Sequence, residues 1–235
     1  MSNQAFSKTS TKAAPKDKEI VRDYFNSTGF DRWRRIYGEG DVNRVQLDIR
    51  TGHQQTVDYV LAWFKNDKNA AEQTVCDAGC GTGSLSIPLA ALGAKVYASD
   101  ISEKMVGEGK SLAADPENPI FAVKDLAALS GEYDTVICLD VLIHYPDRES
   151  EEMIAHLASL AKSRLILSFA PHNPYYVLMK KVGDMVPGPS KATRAYLHKE
   201  SDVRRVLQKL GFTIKRKEFT ATSFYFSRLL EAVRN

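Results

Sequence analysis

The turn Asp77-Ala78-Gly79-Cys80-Gly81-Thr82-Gly83 constrains this chain more than any other segment. It follows the strand-like run Thr74–Ala78 and opens a helical stretch, Ser84–Leu92, closed by Gly93. Glycines at a first strand–helix turn take up positive φ and let the backbone approach a ligand closely. Their spacing discriminates between ligands. A dinucleotide fingerprint needs a third glycine where Ser84 stands, and a phosphate-cradling loop needs a Gly-Lys pair that is missing here. What remains is DxGxGxG. The carboxylate of Asp77, at the strand end, attracts a cation such as an aminoacyl ammonium and repels a pyrophosphate.

From this turn onward apolar runs and helical periodicities alternate. Strands are expected at Thr74–Ala78, Lys95–Ser99, Ile120–Val123, Tyr133–Leu139 and Arg164–Phe169. Helices are expected at Ser84–Leu92, Ser102–Ala114, Glu149–Ala161 and Ser201–Leu210. Two last strands, Thr213–Phe219 and Ser223–Leu230, are close enough for a tight hairpin at Thr220-Ala221. The pattern implies an α/β, Rossmann-like doubly wound sheet, mostly parallel, with one antiparallel strand. Upstream, His53–Phe64 reads as an amphipathic helix, and the aromatic-rich 19–52 as a helical arm or lid. Residues 1–18 have the composition of a disordered tail. The core is then 53–170 plus 200–235, interrupted by a proline-rich cap insertion at 171–199.

No apolar run approaches the ~18 residues of a membrane span. Cys76, Cys80 and Cys138 lack metal-site or disulfide spacing and read as buried thiols; no resident metal is expected. Net charge is +3, but between Lys162 and Lys217 bases far outnumber the acids Asp184, Glu200 and Asp202. That region reads either as a solvated surface or as a face for an anionic substrate, an acidic partner or a membrane.

Further site candidates follow from the βαβ order. Asp100, ending the second strand, is placed to accept ribose hydroxyls. Asp125, after the third strand, is placed to accept an adenine amino group, with Leu126 or Met105 against the ring. Ile101 and Leu139 border the same crevice. In such sheets ligands bind at the carboxyl ends of the strands, so His144 and Tyr145, just past the fourth, are candidates for acceptor contact.

DAGCGTG, VYASDIS and Asp125 resemble the class I S-adenosylmethionine-dependent methyltransferases. That resemblance implies the sheet order 3-2-1-4-5-7-6, strand 7 antiparallel, with Asp77, Gly79, Gly81 and Gly83 against S-adenosyl-L-methionine. The stretches Tyr24–Gly38 and Val45–His53, with Pro171-His172-Asn173-Pro174, resemble the magnesium-protoporphyrin IX O-methyltransferase family of chlorophyll biosynthesis. Members esterify one propionate of a magnesium porphyrin. The resemblance implies that His144 and Tyr37 aim the reacting propionate or hold the macrocycle. It gives Tyr24, Trp33, Tyr145, His172, Tyr175 and Arg194 to the substrate, and leaves His53, His144 and His172 as alternative candidates for one axial ligand to its magnesium. It further implies contact with the large subunit of magnesium chelatase, peripheral contact with a thylakoid membrane, and residence in the cytoplasm of a photosynthetic bacterium or in a chloroplast. Two alternatives stay open: an O-methyltransferase for another small acceptor, and a non-catalytic porphyrin-binding regulator. Nucleic acid is the weakest reading, because Leu139-Asp140-Val141-Leu142 stands where base methyltransferases place an Asn/Asp-Pro-Pro-Tyr element.

Overall fold

Runs such as Val136-Ile137-Cys138 and Leu165-Ile166-Leu167 are apolar at every position, which suits a strand covered on both faces. The computed structural model, which describes residues 15–67, 70–172 and 195–235, covers them so. Val136, Cys138, Leu165 and Leu167 point into one cluster with Ile154, Leu157, Val203 and Leu207. Ile137 and Ile166 point the other way, toward Val57, Val60, Phe64 and Leu89.

Seven strands form one sheet in the order β3-β2-β1-β4-β5-β7-β6. They are β1 (Thr74–Ala78), β2 (Lys95–Asp100), β3 (Ile120–Val123), β4 (Tyr133–Cys138), β5 (Ala161–Phe169), β6 (Phe212–Ala221) and β7 (Phe226–Arg234). β7 runs antiparallel to β5 and β6, as the resemblance implied. One face carries α6 (Asp147–Leu160) and α7 (Glu200–Lys209); the other carries α3 (Arg44–Asn66), α4 (Ser86–Ala91) and α5 (Glu103–Leu112).

Three expectations need correction. The last hairpin turns at Thr222–Tyr225, not at Thr220-Ala221, because β6 continues to pair through Ala221↔Phe226. Asp48 fixes that turn, accepting hydrogen bonds from Thr222 Oγ1 at 2.6 Å, Ser223 N at 3.1 Å and Phe224 N at 2.7 Å. Second, α3 starts at Arg44 rather than His53. Asn43 and Gln46 form a reciprocal capping box there, with contacts of 2.9 and 3.3 Å. Third, α1 (Pro15–Phe25) begins inside the expected tail, whose first 14 residues lie outside the described ones.

The helical arm is α1 and α2 (Thr28–Tyr37), and polar staples attach it to the core. Ser102 Oγ donates to Asn26 Oδ1 at 2.8 Å. Arg50 donates to the carbonyls of Ile36, Arg35 and Gly40 at 3.0, 2.6 and 2.8 Å, satisfying the otherwise open end of α2. Among its described residues, part of the basic run is engaged in ion pairs. Arg164 and Arg216 converge on Asp67 and the fully buried Glu231, with the guanidinium groups over Phe64 and Trp63. Arg204 and Arg205 pair with Glu200 and Asp202. Lys180, Lys181, Lys191 and Arg194 lie outside the described residues. Among the described residues no helix is long and apolar enough to cross a membrane.

Candidate active site

Two cavities open at the carboxyl ends of the strands. The first, about 820 Å³ of empty space including its mouth, is bounded by Gly79, Gly81, Asp100, Ile101, Met105 and Leu126. Leu139 and Tyr145 complete its inner side. Gly79 and Gly81 have φ of 87° and 54°, where a side chain is strained. A Cβ on Gly79 would stand 2.2 Å from Val141 Cγ2. Asp100 accepts from Gly81 N at 3.0 Å and Ser102 N at 2.9 Å, which aims its carboxylate along the turn and into the cleft. Burial raises the Asp100 carboxyl above the ordinary range, and those backbone donors oppose the rise. A glycine floor, a carboxylate at the second strand end and an apolar slot at Met105 and Leu126 fit the adenosyl cofactor implied by the sequence.

The second cavity is larger, about 1490 Å³ on the same measure, and its walls are rich in rings: Tyr24, Trp33, Tyr37, Phe224, Tyr225 and Phe226. Among the described residues, four border both cavities: Phe25, Tyr37, Asp140 and His144. A group transferred from one ligand to the other passes at this shared wall. His144 sits edge-on to Phe25, ring centroids 5.7 Å apart, and its Nδ1 is buried with no hydrogen-bond partner among the described residues. Burial pushes its pKa down to about 4, against the nearby charge of Asp140, so the ring is neutral at neutral pH. The Tyr37 hydroxyl is pushed up, by burial first and then by Asp140 and Asp100, and keeps its proton.

Asp140 joins these parts. It follows β4 in a left-handed conformation, φ 58°, and its backbone N donates to Ser168 Oγ at 2.7 Å. The carboxylate meets His53 Nδ1 at 2.9 Å, the Tyr225 hydroxyl at 2.8 Å and Ser168 Oγ at 2.9 Å. Burial raises its pKa, but the hydrogen bond and charge of His53, with Tyr225 and Ser168, bring it below the ordinary value. His53 Nε2 meets Ser84 Oγ at 3.0 Å, so both ring nitrogens are engaged. Gly52 permits this arrangement: a Cβ there would lie 2.4 Å from the Tyr225 ring. Sequence reasoning placed Phe25 only within the aromatic arm and missed Asp140 and Tyr225. Their partners are far apart in the chain, and no local pattern marks them.

Some predicted site residues stand elsewhere. Gly83 is a packing glycine, with its missing Cβ 2.8 Å from Phe121. Asp77 is turned under the loop, 2% exposed, accepting from Ser86 Oγ at 2.5 Å. Burial raises its pKa to about 6 in spite of the Ser86 bond. Asp125 accepts from Ala127 N at 2.8 Å, capping a helical turn beside Leu126. Tyr145, expected at the acceptor, borders the first cavity. His172 borders neither; it is exposed, and its backbone N donates to the His198 carbonyl at 2.8 Å. Tyr175 and Arg194 lie outside the described residues.

A family profile described as "Magnesium-protoporphyrin IX methyltransferase C-terminus" matches residues 138–234, and one described as "Methyltransferase domain" matches 75–164. The chain is 63% identical over 229 residues to the magnesium-protoporphyrin O-methyltransferase of Synechocystis sp., covering 96% of this chain and 100% of that protein. It is 62% identical over 222 residues to the chloroplastic magnesium protoporphyrin IX methyltransferase of Arabidopsis thaliana, covering 92% and 71%. The crystal structure of magnesium protoporphyrin IX methyltransferase from Synechocystis PCC 6803 with bound SAH superposes with a TM-score of 0.86 at 62% identity, covering 93% of this chain and all of that one.

Proposed function

Because this chain belongs to the magnesium-protoporphyrin O-methyltransferase family, we propose that it transfers a methyl group from S-adenosyl-L-methionine to one propionate of magnesium protoporphyrin IX, giving the monomethyl ester in chlorophyll biosynthesis. The observation that carries this reading is the pair of cavities meeting at Phe25, Tyr37, Asp140 and His144. One fits an adenosyl cofactor; the other is wider and lined by rings, the surface a flat macrocycle needs.

When bound, S-adenosylmethionine supplies an electrophilic methyl on a sulfonium. Gly79, Gly81, Asp100, Met105 and Leu126 would hold it. The acceptor carboxylate is already ionised at neutral pH, since such groups titrate near 4. The protein therefore needs no general base. His144, neutral, and Tyr37, protonated, present hydrogen-bonding groups at the junction and take no proton. Their task is orientation, and enclosing the reacting pair is worth an effective molarity of about 10⁵ M or more. Of the three histidines considered for the porphyrin magnesium, His53 is fully engaged and His172 borders neither cavity; His144 has a buried nitrogen beside the acceptor that is free among the described residues.

The chain acts in the cytoplasm of a photosynthetic bacterium or in a chloroplast. Contact with the large subunit of magnesium chelatase or a thylakoid surface is a finer part of the proposal. Apolar exposure near the acceptor mouth supports it: Phe224 is 56% exposed, and Leu47, beside the Asp48 that holds its turn, is 51% exposed. The deciding experiment incubates the protein with magnesium protoporphyrin and S-adenosylmethionine. The monomethyl ester and S-adenosylhomocysteine should appear in equal amounts. Porphyrin binding without S-adenosylhomocysteine would instead indicate a regulator.

A further inference from the structure

The acceptor brings two carboxylates, and only one reacts. The second enters a largely apolar cavity, where an unpaired carboxylate is costly. The junction holds the reacting propionate and, among the described residues, has no cation for a second one. Asp140 is ionised there, already supplied with donors by His53, Tyr225 and Ser168. His144 is neutral and offers no charge. Among the described residues, one lysine or arginine borders either cavity: Arg32.

Arg32 differs from the arginines around it. Arg34 is 4.0 Å from the Asp31 carboxylate, Arg35 donates to the Asp31 carbonyl at 3.1 Å, and Arg50 is committed to three carbonyls. Arg32 has no acid partner among the described residues. Its guanidinium lies 5.9 Å from the centre of the Trp33 ring, which is itself a wall of the acceptor cavity. A guanidinium resting on an aromatic face keeps its donors available to a carboxylate in bidentate geometry. On α2 it precedes Tyr37 by about 7.5 Å of helix rise, so the charge stands away from the transfer junction.

We propose that Arg32 receives the non-reacting propionate and so determines both substrate orientation and the single methylation. This rests on the porphyrin reading above. The diacid satisfies the junction and Arg32 together. The monoester cannot: placing its remaining carboxylate at the junction leaves a neutral ester against Arg32. Second methylation is therefore disfavoured by the loss of one charge-assisted contact.

The test uses the full chain as wild type, Arg32→Gln and Arg32→Lys. Binding of the diacid, the monomethyl ester and the dimethyl ester of magnesium protoporphyrin is measured with steady-state kinetics. In Arg32→Gln the KM for the diacid should rise about tenfold, the scale of one charge-assisted hydrogen bond. Lysine should restore part of that loss, and the KM for S-adenosylmethionine should change less than about twofold, since Arg32 does not border its cleft. The dimethyl ester should bind wild type and Arg32→Gln equally, and Arg32→Gln should discriminate less between diacid and monoester. Equal losses for diacid and dimethyl ester would assign Arg32 to packing and overturn the proposal. An unchanged diacid KM overturns it too. A wild type that binds no porphyrin overturns the underlying function as well, so the two failures are distinct.

Discussion

Asp140 illustrates how much of this site is decided by single atoms. A non-glycine residue at φ 58° is uncommon, and the conformation is held by Ser168, which the Asp140 backbone N–H contacts while its carboxylate meets the same hydroxyl. The acid at the end of β2 was legible in the sequence, because the βαβ spacing places it; Asp140 was not, because Tyr225, Ser168 and His53 reach it from three other elements. Titration checks two residues. His144 is depressed to about 4, so it stays neutral through the neutral range. Activity should show no transition near pH 6.5 that disappears in His144→Gln; such a transition would mean that His144 acts as a base. Asp77 is raised to about 6, above its value of about 4 in an unfolded chain. As pH rises through that window the unfolded chain gives up its proton first, so the folded state loses relative stability. Asp77→Asn removes that loss. The Tm difference, variant minus wild type, should therefore become more positive between about pH 4.5 and about pH 7.5, and a flat difference would mean that Asp77 is not held protonated.

Elements were legible where burial imposes a pattern. β1 and β3 were located to the residue, because short β-branched runs between turn signals allow little else. Most other boundaries shifted by a few residues. α3 was placed too late because Val45, Leu47 and Ile49 alternate with polar residues and form no helical stripe; the Asn43–Gln46 capping box was the signal that marks its start. The exchange of a tight hairpin for the Thr222–Tyr225 turn has a tertiary cause, since Asp48 on another element holds it. Glycines test the elements directly. Gly211→Ala meets open space at φ 79° and should cost about 1 kcal/mol of strain. Gly79→Ala carries similar strain plus a clash with Val141 in the cofactor cleft. It should lose at least about 2 kcal/mol in denaturant unfolding and bind S-adenosylhomocysteine at least about tenfold more weakly. Equal behaviour of the two variants would deny the close approach at Gly79.

At the scale of the molecule, stability and chemistry occupy opposite ends of the sheet. Thr135 and Arg164 lie in the first halves of the parallel strands β4 and β5, while the cavities lie beyond the strand ends. The Arg164–Asp67–Glu231–Arg216 cluster takes two arginines out of the basic run: their charges fix β5, β6 and β7 to the end of α3. Periodicity cannot show this, because a paired and an unpaired arginine have the same letter. Glu231 is fully buried, so Glu231→Gln leaves guanidinium charge uncompensated and should cost about 3 kcal/mol or more. Turnover of protein that remains folded should be unchanged. A loss of turnover without a loss of stability would place that cluster in the reaction path.

The wall shared by the cavities has a consequence for equilibrium. Phe25 and Tyr37 belong to one arm and border both sites, so any displacement of that arm alters two affinities at once. Thermodynamic linkage then requires reciprocity: whatever factor S-adenosylhomocysteine imposes on porphyrin binding, porphyrin imposes on S-adenosylhomocysteine. The arm is thus a common term in two binding polynomials.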